Sequence, residues 1–323
     1  MTLNLFYQEP MADRWVPYDR YPRKIIRRIV RGKPRPGGHM MVFLNLVKGL
    51  DRIGQPYRVN DFRHARRHPD ELACIVGKPD VLFDREWENP VLFGASIFSH
   101  PIHHPDLLER YPIRKVVVPG EWMRKMFEPY YGDSVVAWPV GIDTEEWAPS
   151  GEPKTVDILL YDKIRWDRDV YVPALLQPVR DELARRGLTY TELRYGSYEP
   201  TDLADALRRC RAAVFLCESE TQGIAYQQIL SSGVPVLAWD EGGDWRDPEL
   251  YPDRVQFGPV SSVPYWDERC GLTFKDAPEF GPELDAFWED LETGSFSPRD
   301  YILENLTLEK SAQHYVDIAR SVS

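Results

Sequence analysis

Cysteine is scarce: Cys74, Cys210, Cys217 and Cys270 are the four in 323 residues, with no C-x-x-C spacing. That excludes a disulfide scaffold, and it points to a reduced, cytoplasmic chain with no structural zinc. No apolar run approaches the roughly 20 residues of a membrane-spanning helix. Residues 1–10 lack the basic-then-apolar layout of a secretion signal. Net basic charge is missing too. Forty Lys and Arg stand against 51 Asp and Glu, a formal charge of −11, which argues against a general nucleic-acid binder. The cations are unevenly spread, however. Residues 1–70 hold fifteen basic and six acidic side chains, so this stretch is +9 and the remainder −20. There is neither a repeat of solenoid period nor a low-complexity tract.

What is present is ordinary globular material, 43% apolar and 28% charged, which excludes whole-chain disorder. Aromatics reach 12%, with ten Trp, enough to line a cleft as well as fill a core. The length suits two domains. Short β-rich runs alternate with helix-like segments, the pattern of parallel α/β sheets. Strands are expected at 3–8, 57–60, 72–76, 91–98, 115–118 and 135–140. A second set is expected at 157–161, 189–195, 212–217, 235–239 and 255–257. The Pro/Gly/Ser-rich stretch 148–153 reads as a linker. At the end of the chain Leu308, Ala312, Tyr315, Val316 and Ala319 recur at helical spacing, with Thr307 as N-cap.

The most informative stretch is Glu218-Ser-Glu-Thr-Gln-Gly-Ile-Ala-Tyr-Gln-Gln-Ile-Leu-Ser-Ser-Gly-Val-Pro-Val236. A buried strand runs into a carboxylate-rich loop, Gly223 opens a helix, Gly233 ends it, and the next strand follows. Ligands of open α/β sheets sit at the carboxyl ends of strands. Free N–H groups at a helix start suit phosphate, and acidic side chains beside them suit sugar hydroxyls. The plain alternative is a βαβ crossover with a solvated acidic loop.

This segment resembles the E-x7-E signature of retaining GT-B glycosyltransferases, especially glycosyltransferase family 4. Glu220, Gly223, Gly233, Pro235 and Val236 fall on the family positions, while Gln228 stands where the second Glu would be. An amide still exchanges hydrogen bonds with a ribose diol, but without the charge that strengthens them. Further likenesses span nearly the whole chain. VVVPGEWMRKMFEPYYGDSVVAWPVGIDTEEW over 116–147 resembles the stretch leading into the interdomain linker. LTLEKSAQHYVDIAR resembles the closing helix that crosses back to the first domain. Pro36-Gly37-Gly38-His39-Met40-Met41 resembles the glycine loop at the donor phosphate. The following helix carries Phe43, Leu46, Val47, Leu50 and Ile53 on one face and ends at Gly54.

The resemblance implies an α/β GT-B fold: two Rossmann-like doubly wound domains facing a cleft. These would be an acceptor-side domain over 1–150, a nucleotide-sugar domain over 151–305, and a helix over 306–323 packed back on the first. It implies transfer of a sugar from a nucleotide-diphosphate sugar to a saccharide or lipid-linked acceptor, with retention, in surface polysaccharide or glycoconjugate synthesis. No cofactor and no active-site metal are expected. Glu220 would hold donor hydroxyls. Gln222, Gly223, Ile224 and Ala225 would offer backbone N–H groups, Gln228 would meet the ribose, and Gly37 and Gly38 would approach the phosphate. Lys163 and Arg168 have the five-residue spacing of the family's diphosphate clamp with residue types exchanged, and Arg165 is a rival for either role. His100 matches the cleft histidine that contacts the donor sugar. With His103 and His104 it also spells H-x-x-H-H, a metal-like spacing with no third element to complete it, or a histidine surface loop. Asp167-Arg-Asp169 spells D-x-D, the metal motif of a different glycosyltransferase fold.

Residues 14–35 depart from the family: a cationic stretch with Ile25, Ile26, Ile29 and Val30 at helical spacing intervenes before the glycine loop. It suits an anionic bilayer at the inner face of the membrane, an anionic acceptor, or simple docking on the core. Two other functions fit the same architecture. One is a nucleotide-sugar 2-epimerase, which needs no acceptor; the other is a non-catalytic binding partner of another transferase.

Overall fold

The computed structural model describes residues 1–9, 37–95 and 97–323. The basic stretch 14–35 therefore lies outside the described residues. The chain divides into two compact units, one of Met1–Pro119, Phe127–Val140 and Ser311–Ser323, the other of Gly120–Met126 and Gly141–Lys310.

The first unit is built on six parallel strands: β1 (Leu3–Phe6), β2 (Tyr57–Val59), β3 (Ala73–Ile75), β4 (Val91–Gly94), β5 (Ile113–Val118) and β6 (Val135–Ala137), in the order β2-β1-β3-β4-β5-β6. The order reverses between β1 and β3. The helix Gly38–Arg52 buries Val42, Phe43, Leu46 and Leu50. It ends as its sequence indicates, with Gly54 in the left-handed region at φ +67°. The C-terminal helix Leu308–Arg320 starts at Thr307, whose hydroxyl accepts the Lys310 N–H at 3.2 Å. From Ser311 onward this helix belongs to the first unit. There the Trp138 indole donates to the Ser311 carbonyl at 2.8 Å, and Trp138 and Tyr315 meet edge-to-face at 5.0 Å, both fully buried.

The second unit carries β7 (Val156–Lys163), β8 (Tyr190–Arg194), β9 (Cys210–Cys217), β10 (Val236–Trp239) and β11 (Gly271–Phe274), all parallel, in the order β11-β10-β9-β7-β8. Successive residues of β7 and β9 feed two different cores. Leu159, Tyr161, Ala213, Phe215 and Cys217 enter one; Ile158, Leu160, Ala212, Val214 and Leu216 enter the other. Burial on both faces is why these strands read as continuous apolar runs.

One expected strand is misplaced. Residues 255–257 form no strand and lie in the long connection after β10, where the Phe257 carbonyl accepts the Trp245 N–H at 2.7 Å. The fifth strand is Gly271–Phe274 instead. Its pairing with β10 depends on Gly271, because at φ +139° a Cβ would stand 1.9 Å from the Val236 carbonyl oxygen. Leu272-Thr-Phe274 carries the same alternating triplet as Val255-Gln-Phe257, so local pattern does not separate the two and only pairing with β10 does. Among the described residues no helix is long and apolar enough to cross a membrane.

Two glycine substitutions test this account. Gly271→Ala meets both a forbidden dihedral and a backbone overlap, and should lower stability by about 3 kcal/mol or more. Gly294→Ala keeps open space at φ +73° and should cost only about 1 kcal/mol. Urea unfolding of the two variants reads the difference; equal losses would refute the overlap at β10.

Candidate functional site

In the second unit the chain runs from β7 out to β8 and returns to β9 on the other side of β7. The crevice beyond the carboxyl ends of β7 and β9 is thus the topological switch point, where such sheets bind ligands. Two of the expected residues meet there. Lys163 closes β7, Glu220 lies three residues past β9, and the ammonium and carboxylate form a buried ion pair and hydrogen bond. Burial pushes the Glu220 carboxyl upward. The adjacent Lys163 ammonium, its hydrogen bond and the Thr221 N–H outweigh that and hold the carboxyl below its usual range. Burial lowers Lys163, and Glu220 more than restores it. The backbone of Glu220 is fixed as well: its N–H donates to the Ser261 carbonyl at 2.9 Å and its carbonyl accepts the Trp122 indole at 2.9 Å. Over the ammonium lies the Tyr195 ring, at 4.7 Å and 51% exposed.

The other two cations are held differently. Arg168 turns its fork onto buried Asp162, at 2.9 and 2.7 Å, and donates to the Ile164 carbonyl at 2.6 Å. Arg165 donates a side-chain N–H to the Ser219 carbonyl at 2.9 Å, and its own backbone N–H goes to Glu218 at 2.7 Å. The same Glu218 oxygen accepts the Trp166 N–H at 2.8 Å. Arg165 keeps the most open side chain of the three, 34% exposed against 10% for Lys163 and 25% for Arg168. Asp167, which completes the D-x-D triplet with Asp169, sits at φ +45° and both are exposed.

Gly223 opens the helix Ile224–Ser231 at φ +64°, and a Cβ there would stand 2.1 Å from the Tyr226 ring. That ring is locked: its hydroxyl accepts the Tyr265 N–H at 3.0 Å, and the Tyr265 hydroxyl donates to the Thr221 carbonyl at 3.1 Å. The first-turn N–H groups of the helix, at Ile224 and Ala225, have no intrahelical acceptors and carry the positive end of its dipole. Fully buried Gln227 donates to the Gln222 carbonyl at 2.6 Å, tying the loop before Gly223 to the first turn. Its Oε1 is buried with no hydrogen-bond partner among the described residues. Gln228 is half-buried on the next position. Gly233 closes the helix at φ +73°.

In the first unit, Gly37 caps the helix Gly38–Arg52 with extended backbone, and among the described residues a Cβ at Gly37 or Gly38 would touch nothing within 4 Å. His100 is buried and caps the short turn Pro101–His103, its Nδ1 accepting the Ile102 N–H at 3.1 Å. With Nδ1 accepting, the neutral ring carries its proton on Nε2. Burial, then the neighbouring His103, lowers its pKa to about 4, so this ring is neutral at pH 7. His104 packs instead between Phe83 and Phe98, at 4.7 and 5.1 Å.

Glu218, Asp162, Trp122 and Gln227 were not singled out from sequence. Glu218 and Glu220 were both visible as carboxylates of one loop. Their partners were not visible, because β7 and β9 lie more than fifty residues apart in sequence.

No protein-family model and no curated protein sequence matches the chain. Solved structures do. The chain is similar to the apo form of the lipopolysaccharide outer core galactosyltransferase WaaB, with TM-score 0.56 and 9% identity over 99% of each chain. It is also similar to WaaG, a glycosyltransferase involved in lipopolysaccharide biosynthesis, with TM-score 0.53 and 12% identity over 88% of this chain and 97% of that one. A chain of the GtfA/B complex aligns with TM-score 0.50 and 13% identity over 80% of this chain, which spans only 59% of that longer one. The likeness gives the fold: two Rossmann-like units with a C-terminal helix returned to the first, as in GT-B glycosyltransferases of the family 4 group.

Two predictions follow from the charges. Lys163→Met and Glu220→Gln should each destabilise the protein by about 3 kcal/mol, because each strands or weakens a buried charge. A double-mutant cycle by urea unfolding should return a coupling of at least about 1 kcal/mol; a coupling near zero would mean the two groups do not interact. For His100, a folded pKa below the unfolded value means that the unfolded chain binds more protons between pH 6.5 and about 4. Its contribution is therefore whole above pH 6.5 and declines on acidification towards pH 4, by at most about 3 kcal/mol. The His100→Asn variant should flatten that part of the stability–pH curve, and an unchanged slope would contradict the assignment.

Proposed function

We propose, for a chain with the fold of GT-B glycosyltransferases, that it transfers a sugar from a nucleotide-diphosphate sugar to an acceptor with retention of anomeric configuration. The observation that carries this reading is the meeting of Lys163, Glu220 and the Gly223-opened helix at the switch point of the second unit. An anion-binding helix start beside a fixed carboxylate has the two chemistries a nucleotide sugar presents. The diphosphate takes the first-turn N–H groups and the cations; the sugar hydroxyls take the carboxylate.

Each residue then has a role. Glu220 accepts donor hydroxyls. Lys163 and Arg165 offset the charge that develops on the departing diphosphate, together with the backbone dipole at Gly223, Ile224 and Ala225. Gln228 meets the ribose. Arg168, spent on Asp162, orders the loop after β7 rather than touching the donor. In the first unit we keep His100, neutral with its proton on Nε2, as a hydrogen-bond donor to a hydroxyl, and Gly37 and Gly38 as backbone donors to an anion. No carboxylate is placed as a nucleophile. The chemistry is a front-face displacement, in which the acceptor hydroxyl attacks the face the nucleotide leaves, and positioning and electrostatics lower the barrier.

WaaG and WaaB are enzymes of lipopolysaccharide. By that analogy the acceptor is a saccharide or lipid-linked saccharide of a surface glycan, met in the cytoplasm at the inner face of the membrane. Gln228 favours one second reading, a relative that binds nucleotide sugar or glycan without turnover.

Calorimetric titration with UDP, GDP and their sugar conjugates, without added metal, tests both readings. One nucleotide should bind, and Lys163→Ala should weaken it at least about tenfold. Glu220→Ala should reduce transfer by about a hundredfold or more, and Gln228→Glu should shift donor affinity. Retained transfer in Glu220→Ala would sink the role given to that carboxylate. Absence of binding by every nucleotide and conjugate would remove the donor site altogether.

A further inference from the structure

In the first unit, and unconnected with the donor chemistry, the sequence His64-Ala-Arg-Arg-His68-Pro-Asp-Glu71 folds into one turn that gathers two imidazoles and a carboxylate. The helix Phe62–Arg67 is started by Asp61, whose side chain accepts the His64 N–H at 2.9 Å. His68 caps its end, with its N–H on the His64 carbonyl at 3.1 Å. Four residues apart, the two rings lie on one face, with centroids 4.2 Å apart and planes tilted by 30°. Glu71 then turns back, its N–H on the His68 carbonyl at 3.1 Å and its Oε2 2.9 Å from His64 Nε2. One donor atom from each of the three lies within 4.8 Å of the others.

The turn is braced from below. Buried Asn89 sends its amide to the carbonyls of His68 and Glu71, at 2.8 and 2.9 Å, and more weakly to Ala65 at 3.3 Å. Buried Asn4, on β1, donates to Glu71 Oε2 at 2.9 Å and so aims the carboxylate. Such outer partners orient the ligands of metal sites. His64 and Glu71 are half-buried while His68 is exposed, so the cluster opens to solvent on one side.

We propose that His64, His68 and Glu71 bind one divalent transition-metal ion, with Zn2+ the fitting occupant. Two imidazole nitrogens and one carboxylate oxygen match the donor types of zinc, and water completes the shell. A tetrahedral ion with bonds of about 2 Å holds its ligand atoms about 3.3 Å apart. The His64–Glu71 separation must open slightly and His68 must close in, both rotamer-scale movements. Mg2+ is a poor fit, because it prefers an all-oxygen octahedron. Arg58, 3.9 Å from Glu71 Oε2, opposes the added charge and sets a moderate affinity. The bound ion ties the turn to β1 through Glu71 and Asn4.

The test uses the untagged full-length protein after chelator treatment. Titration with ZnCl2 against a chromophoric competitor should give one equivalent, and MgCl2 should not displace it. CoCl2 should produce a visible d–d band of low-coordinate Co2+. His68→Gln, at an exposed side chain that leaves folding intact, should weaken Zn2+ at least about tenfold and remove the Co2+ band. Zn2+ should raise the thermal midpoint of the native protein and not that of His68→Gln. No stoichiometric uptake by the native protein, or uptake unchanged in His68→Gln and Glu71→Gln, would overturn the proposal. The second outcome would assign the ion to other histidines, of which His100, His103 and His104 are the nearest set in sequence.

Discussion

The candidate donor site is organised by the buried pair of Lys163 and Glu220. Each charge alone would be strongly disfavoured at that depth, since desolvation penalises both. Together they stay ionised, and each fixes a different strand end: Lys163 closes β7, and Glu220 begins the loop beyond β9. The Ser261 carbonyl and the Trp122 indole hold the backbone of Glu220 on either side. The loop can then reach Gly223 in one course, with the Tyr226 ring, held by the Tyr265 N–H, occupying the space a side chain there would need. The start of the helix Ile224–Ser231 is positioned by this chain of constraints, not by its own eight residues, which are too few to be stable alone.

Much of that was legible locally. Gly223 and Gly233 mark a helix start and end because each must adopt a left-handed dihedral, a requirement expressed in the residue itself. The strands β7 and β9 are legible because burial on both faces makes their centres, residues 158–161 and 212–217, continuous apolar runs. Thr307 announces a helix start through its capping hydroxyl, and Gly54 an end through its left-handed dihedral. What was hidden depends on which strands are neighbours. Lys163 and Arg168 have the spacing of one clamp, yet the fold gives Lys163 to Glu220, 57 positions away, and turns Arg168 back onto Asp162 of β7. The strand expected at 255–257 failed differently: an alternating triplet occurred in a connection, while the true edge strand Gly271–Phe274 depends on a glycine whose role appears only against the Val236 carbonyl. His64, His68 and Glu71 read along the chain as part of a basic run, and only the turn braced by Asn89 brings them together.

Gln228 is best understood against the charges around it. Three cations serve the loops beyond β7 and β9: Lys163, Arg165 and Arg168. Three carboxylates answer them: Glu220 on Lys163, Glu218 on Arg165 and Asp162 on Arg168. Each of these cations is thus paired before any ligand arrives, and Asp167 and Asp169 add exposed negative charge after β7. A carboxylate at position 228, on the half-buried second turn of the helix, would add further negative charge. That charge would strengthen a hydrogen bond to a ribose diol but oppose a diphosphate at the same helix start. An amide keeps the diol contact in weaker form and spares the diphosphate that repulsion. Under the proposed function, the departure from E-x7-E would shift donor affinity from ribose towards phosphate, and a nucleotide would be held more by Lys163, Arg165 and the first-turn N–H groups than by position 228.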